Sequence, residues 1–457
     1  MGRVAFDYCR RFFGFKGVIP IFCSKDKSKG VAIVLTIIIL IYLALCGAYF
    51  IMHQNEAIRG SFETFDNDDV KYLRSAWVLL ETGRFTYKDP TVDTVFIMPA
   101  LTVALAAFVL MFGAYPIIQF KIFQALLGAA CLYLIFLSGK KLFSARIGLV
   151  GAALMAVYAP SIYVTGTLLT EGFFYFLFLL TFYFTICAIE SSKMRYYIAG
   201  GFFLGLSALF RPTVVPVVPI AVLFVWIAKK YKFADMVKFG FAVSCTVIFV
   251  LSPWILRNAI IFGEFIPFTK ASGNPAFQGT FINYDRSVEE TEKIDYYQII
   301  KEKSNIKVEK YGFDELTDNA VESEMTRIRF NEVIKKEPLK FLKWYTVGKT
   351  IKNFDEPFLW VRLFNISAEK LTLQHYLMLA AGLAGFLALV IFEKNKGVML
   401  LPALLIFLFN GIYLPFYCFS RYMFPIIFCF ALYGGYFIDK LACAIANWYK
   451  IKIKAGV

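Results

Sequence analysis

Apolar runs of roughly 15 to 23 residues recur along the whole chain, at 31–51, 117–138, 147–165, 171–190, 196–210, 213–228, 238–256, 372–392, 397–416 and 422–444. About 20 such residues in a helix cross the hydrocarbon core of a bilayer. Lipid offers no partner to a free backbone N–H or C=O, so segments of this kind cross as internally bonded helices. The expected fold is therefore an all-α polytopic membrane protein with about 10 transmembrane helices. Composition agrees: 59% of residues are hydrophobic and 18% charged, where a soluble domain carries roughly 45–50% and about 25%.

A further apolar segment, 95–113, decides the topology, because counting it as a crossing moves every later loop to the opposite side. Lys and Arg accumulate in cytoplasmic loops. If 95–113 does not cross, the basic segments 139–146 (GKKLFSAR), 191–195 (SSKMR), 229–238 (KKYKFADMVK), 393–396 (EKNK) and 450–454 (KIKIK) share one side. They join a basic N-terminus with Arg10, Arg11, Lys16, Lys25, Lys27 and Lys29. If it crosses, most of them move outside. The first arrangement is preferred, with 95–113 re-entrant or lying in the outer interface behind Pro99. The +15 net charge is then an orientation signal, and nucleic acid is not an expected partner.

This topology divides the chain into four parts. A basic cytoplasmic N-terminus (1–30) leads into a transmembrane module (31–256) whose first outer loop is 52–116. A large extracytoplasmic segment (257–371) follows, then C-terminal helices and a basic cytoplasmic tail (372–457). No internal repeat and no Gly/Ser- or Pro-rich linker marks a separate soluble domain. Within 257–371, the spacing of Met325, Ile328 and Val333 predicts a helix over 322–336. The first apolar run lacks a small-residue cleavage site and reads as a retained span in the plasma (inner) membrane.

Cys46, Cys131, Cys187, Cys245, Cys418, Cys429 and Cys443 lie in or beside apolar runs and read as small core residues, not as a disulfide framework. The two histidines, His53 and His375, are far apart, and neither a CxxC nor an HExxH pattern occurs. A His- or Cys-built metal site is not expected.

Acids cluster on the first outer loop, where 61–83 reads SFETFDNDDVKYLRSAWVLLETG. Tyr72, Leu73, Ala76, Trp77 and Leu80 recur at helical spacing, which predicts a short amphipathic helix on the outer surface, stopped by Gly83. Its start carries Asp66, Asn67, Asp68 and Asp69. Such residues cap helix N-termini; a carboxylate fixed at a membrane surface also suits general-base work on a hydroxyl. Both readings stay open. Glu171, in GTLLTEGFFYFLF, falls at the same outer face. An ionisable group at a span boundary is either an interfacial residue or a functional one.

Seven motifs in one order resemble a known group: D-D-V-K-Y (68–72), P-A-L-T (99–102), KKLFSARIG (140–148), G-T-L-L-T-E (166–171), G-L-S-A-L-F-R-P (205–212), P-W-I-L-R-N (253–258) and S-R-Y-M-F-P (420–425). The chain from about 30 to 260, with an echo near 420, is similar to bacterial GT-C-type glycosyltransferases related to protein O-mannosyltransferases and to the lipid A aminoarabinose transferase. The resemblance implies a GT-C-like fold and an enzyme that moves a sugar from a polyprenyl-phosphate carrier to a glycan, lipid or protein hydroxyl at the extracytoplasmic face. It implies Asp68, with Asp69 adjacent, as base, and Glu171 as a second catalytic acid. The aminoarabinose branch has a Glu-Lys pair before the helix-opening proline; here Ile97 and Met98 stand there, which argues against that function.

A polyprenyl phosphate leaves as a stable anion, so the site needs charge stabilisation more than a general acid. One base and direct displacement would invert the anomeric centre. Arg211, Arg257 and Arg421 fall near the outer surface and suit phosphate binding, or serve as interfacial cations and partners of the acids. Lys88 and Arg84 are further candidates. No metal is expected to be obligatory, although three carboxylates could hold a divalent cation. The other classes kept open are a transporter or flippase of lipid-linked sugars and a non-catalytic envelope-assembly subunit.

Overall fold

The computed structural model describes residues 27–285, 294–303, 315–394 and 396–455. The basic residues expected before Lys27 lie outside that set. Among the described residues every regular element is helical, as the apolar runs require. Six helices are long and apolar enough to cross a membrane: Lys29–His53, Ile117–Leu142, Glu171–Ser191, Phe233–Phe262, Ala368–Phe392 and Ser420–Trp448.

The expected span 147–165 is broken. Ala145–Ala156 and Ala159–Gly166 meet at 67° and make a seventh crossing if taken as one. Pro160 has no N–H to continue the ladder, and Gln374 takes two of the groups left at the break. Its Oε1 accepts from the Ala159 N–H (3.1 Å) and its Nε2 donates to the Val157 carbonyl (2.7 Å).

Met194–Ala208 and Val214–Ala228 have 15 residues each, which is about 23 Å of helix. With Gly397–Tyr413 they run between the same two ends of the bundle but fall short of a full crossing. The ten expected spans are thus six or seven full-length ones and three short ones. Segment 95–113 forms Ala100–Phe112, 13 residues behind Pro99 at the N-cap. At about 20 Å it is shorter than the roughly 30 Å hydrocarbon core.

The basic turns collect at one end of the bundle. Lys141 pairs with Glu190 (2.9 Å), Arg146 with Asp439 (3.5 Å) and Lys440 with Glu393 (3.1 Å). The Tyr231 hydroxyl donates to the Ile189 carbonyl (2.7 Å). The first span starts at this end, where Leu35 packs with Phe136 and Leu149. Asp68, Glu171, Arg211 and Arg421 lie at the other. The basic turns and this cluster therefore sit at opposite ends of the bundle.

The helices approach closely where side chains are small. Ala368–Phe392 lies against the last long helix through Gly382 and Gly385, and a Cβ at Gly385 would run into the Tyr433 carbonyl. Backbone cannot yield as a side-chain tip can. Gly385→Val is expected to destabilise the protein by about 2 kcal/mol or more, read as a lowered unfolding temperature in detergent, while Gly411→Ala, with open space at its Cβ, leaves it nearly unchanged.

The helix Phe233–Phe262 runs six residues past the expected end of its span, so Arg257 sits on its last turns. Beyond it, Phe277, Phe281, Tyr296, Ile300, Val321, Met325 and Ile328 form a small core of their own. The helix expected over 322–336 is Glu315–Glu332. It begins earlier and stops at Val333, whose backbone leaves the helical region (φ −122°, ψ −57°). Val333 is therefore off the expected stripe, and Ile334 is buried in the 3₁₀ turn that follows. The cysteines of the described residues are free thiols.

Candidate functional site

The surface helix forms as its spacing predicts, over Asp68–Thr82, and ends at Gly83 in the left-handed region (φ 74°). Tyr72, Leu73 and Ala76 pack against Leu101, Leu105, Ala106 and Phe108 of the short apolar helix, making a second core at this end of the bundle. Asn67 occupies the N-cap but its side chain makes no capping bond. The acids do other work. Asp66 accepts from the Ser61 N–H (2.9 Å). Asp69 is fully buried, and its oxygens accept from the N–H groups of Arg59 (2.6 Å), Gly60 (3.2 Å) and Val70 (2.8 Å). It ties the preceding turn to the helix and does not reach the arginines.

Asp68 points the other way, with its side chain 46% exposed. One oxygen accepts from the Tyr87 hydroxyl (2.5 Å). The other faces Arg421 Nη1 at 3.3 Å. Arg421 stands in the turn Ser420–Met423, and its Nε and Nη2 donate to the two oxygens of Glu171. Glu171 opens a long apolar span and is 0% exposed. Arg211 approaches it from the turn after Met194–Ala208, with Nη2 on Glu171 and Nε on Thr170 Oγ1 (3.0 Å). Arg211 Nη1 is buried and makes no hydrogen bond.

The result is a chain of alternating charge, Asp68–Arg421–Glu171–Arg211, open to water at the aspartate and buried at the glutamate. A carboxylate at such depth persists only with this kind of partner. Glu171 has both oxygens engaged and holds the two guanidinium groups in place. Phe358 and Trp360 stand 6.0 and 5.7 Å from the Arg421 guanidinium carbon.

The other expected cations lie elsewhere. Arg257 pairs with Asp93 (2.6 Å) and donates to the Thr94 carbonyl (2.7 Å). It clamps the loop between the surface helix and the short apolar helix instead of joining Arg421. Lys88 pairs with Asp318 (3.3 Å) and lies over the Phe96 ring (4.4 Å). Arg84 donates to the Thr91 carbonyl (3.2 Å). The residue that sequence reading missed is Tyr87. Its partner Asp68 is 19 positions away, and no local spacing links the two.

Among the described residues, no three His, Cys, Asp or Glu side chains come together as a cation cage. The three carboxylates considered for a metal do not fit one. Those of Asp68 and Glu171 are bridged by a guanidinium, and that of Asp69 is taken up by backbone amides.

This arrangement of helices is shared with solved structures. The chain is similar to the archaeal oligosaccharyltransferase AglB from Archaeoglobus fulgidus, solved with an inhibitory peptide and a dolichol-phosphate, at a TM-score of 0.53 and 12% identity. That match covers 95% of this chain and 53% of the other. The apo form of the Archaeoglobus fulgidus oligosaccharyltransferase matches at a TM-score of 0.57 and 13% identity, over 94% and 52% of the two chains. The chain thus spans about half the length of these structures. A looser likeness, with a TM-score of 0.41 and 10% identity over 92% and 79% of the chains, is to ArnT from Cupriavidus metallidurans bound to undecaprenyl phosphate. No curated protein matches the chain in sequence. The fold is that of the GT-C-type glycosyltransferases. Within it, residues 95–256 match the family of dolichyl-phosphate-mannose-protein mannosyltransferases.

Proposed function

We propose that the chain transfers a sugar from a polyprenyl-phosphate carrier to a hydroxyl acceptor at the extracytoplasmic face of the plasma (inner) membrane, with both termini in the cytoplasm. The observation that carries this reading is the charge chain itself. It offers an exposed carboxylate beside two fixed guanidinium groups, one of which keeps a buried N–H without a partner.

In the reaction, the acceptor oxygen attacks the anomeric carbon while the bond from that carbon to the phosphate oxygen breaks. The electron pair leaves with the polyprenyl phosphate, the hydroxyl proton passes to Asp68, and the centre inverts. Arg211 and Arg421 stabilise the charge that grows on the leaving phosphate, in a site whose buried side keeps the local dielectric low. Glu171 fixes both guanidinium groups and leaves the proton transfer to Asp68. The oxygens that a divalent cation would need are already engaged, so we propose that no metal is obligatory. Activity is expected to survive EDTA, and loss restored by Mg²⁺ or Mn²⁺ would count against it.

The donor site can be tested by binding of a polyprenyl phosphate to the purified protein in detergent. Arg211→Ala is expected to weaken it by roughly 10- to 100-fold, the value of a charge-assisted contact. Asp68→Asn is expected to leave it near the wild-type value. Wild-type protein that binds no polyprenyl phosphate, or an unaffected Arg211→Ala variant, would refute this assignment.

A further inference from the structure

Asp68 lies at the start of its helix with half its surface in water, where a side chain would normally sample several rotamers. A general base must instead present a defined lone pair to its hydroxyl, within hydrogen-bond reach. Arg421 restrains only one of its oxygens. The other is held by Tyr87, and Tyr87 is itself held unusually well.

Its ring is buried, stacks on Phe96 (centroids 5.7 Å apart, 16° between planes) and packs on Tyr72 (5.2 Å). Its backbone carbonyl accepts from Arg74 Nη2 (2.6 Å), which also reaches the Lys88 carbonyl (2.9 Å). Further along the same loop, Glu315 accepts from Thr94 Oγ1 (2.8 Å) and from the N–H groups of Val95 (3.0 Å) and Phe96 (3.1 Å). The Lys270 N–H donates to the Val95 carbonyl (2.9 Å). Two elements of the outer segment therefore hold a loop whose polar contact with the charge chain is one phenol. Burial, and then the Asp68 charge, push that phenol well above its usual range, so it stays a donor at any working pH.

We infer that Tyr87 is the positioning residue for Asp68: its phenol locks the carboxylate plane so that the remaining lone pairs face the open side where an acceptor hydroxyl arrives. The inference rests on Asp68 being the base. It also gives the outer segment a part in the chemistry, since Glu315 sets the loop that delivers the phenol.

Tyr87→Phe keeps the ring and both aromatic contacts and removes only the hydroxyl. Two readouts are taken. In turnover, kcat is expected to fall by about 10- to 100-fold with donor KM unchanged. A purely structural tyrosine would change the unfolding temperature and leave kcat per folded molecule in place. Independently of any activity, carbodiimide labelling of Asp68, quantified by peptide mass spectrometry, is expected to rise roughly tenfold as the oxygen that Tyr87 held becomes free to attack the reagent.

Increased labelling with a slowed kcat supports the inference. Unchanged labelling overturns it, whatever the activity. Increased labelling in a protein whose wild type turns over no donor would leave the Tyr87 contact standing and refute the transferase reading instead.

Discussion

Asp68→Asn is expected to slow sugar transfer by about 10²- to 10⁴-fold, the usual contribution of a positioned general base, with little change in stability or donor KM. The substitution is nearly isosteric. Its amide oxygen can still accept from Tyr87, and Arg421, which loses one acceptor, keeps Glu171 through its other two nitrogens. What it cannot do is take the acceptor proton. The fall should appear in kcat and kcat/KM alike, the pattern of an interaction made only in the transition state. Asp69→Asn makes the contrast. That carboxylate serves the N–H groups of Arg59, Gly60 and Val70, so the cost there belongs to folding, seen as a lowered unfolding temperature.

Arg421→Leu is expected to be the most damaging single change for the fold and the site together. Among the described residues, Arg421 is the one that pairs with both Asp68 and Glu171. Removing it leaves Glu171 wholly buried with Arg211 as its one remaining cation. Breaking a buried ion pair by deleting one partner costs about 3–5 kcal/mol, and transfer should fall below detection. Glu171→Gln alone strips both guanidinium groups of their shared carboxylate, so Arg421→Leu/Glu171→Gln should lose less stability than the sum of the two single losses. It should recover none of the turnover, because the leaving phosphate still lacks its cation. Thermal unfolding in detergent and donor turnover on the same preparations separate the two effects. A double variant whose loss equals that sum would mean that the two side chains do not act on each other.

Much of this fold could be read from the sequence because a bilayer leaves few choices. Apolar length gave the long spans, and it marked 95–113 as apolar, which folds as the short helix Ala100–Phe112. The break between Ala156 and Ala159 was not legible, because it depends on Gln374, which is more than 200 positions away. The three short helices were legible as apolar but not as short, since hydropathy fades more gradually than a helix ends. For the site, order along the chain brought Asp68, Glu171, Arg211 and Arg421 to one face, and the structure joins them in one ion chain. It could not separate Asp68 from Asp69. Adjacent residues at a helix start differ by about 100° in direction, and only the position of the turn at Arg59 and Gly60 decides which one faces Arg421. Nor could it distinguish Arg257 from Arg421, two interfacial arginines whose partners, Asp93 and Glu171, are matters of tertiary geometry.

The central claim is that this chain spends a polyprenyl-phosphate sugar with Asp68 as base. The most direct measurement is the release of polyprenyl phosphate from a panel of such donors by native membranes carrying the wild type or Asp68→Asn at equal abundance. The predicted result is release from at least one donor by the wild type, slowed at least about 100-fold in Asp68→Asn. Equal release by both would contradict the role of Asp68, and no release by the wild type from any donor would contradict the reaction itself.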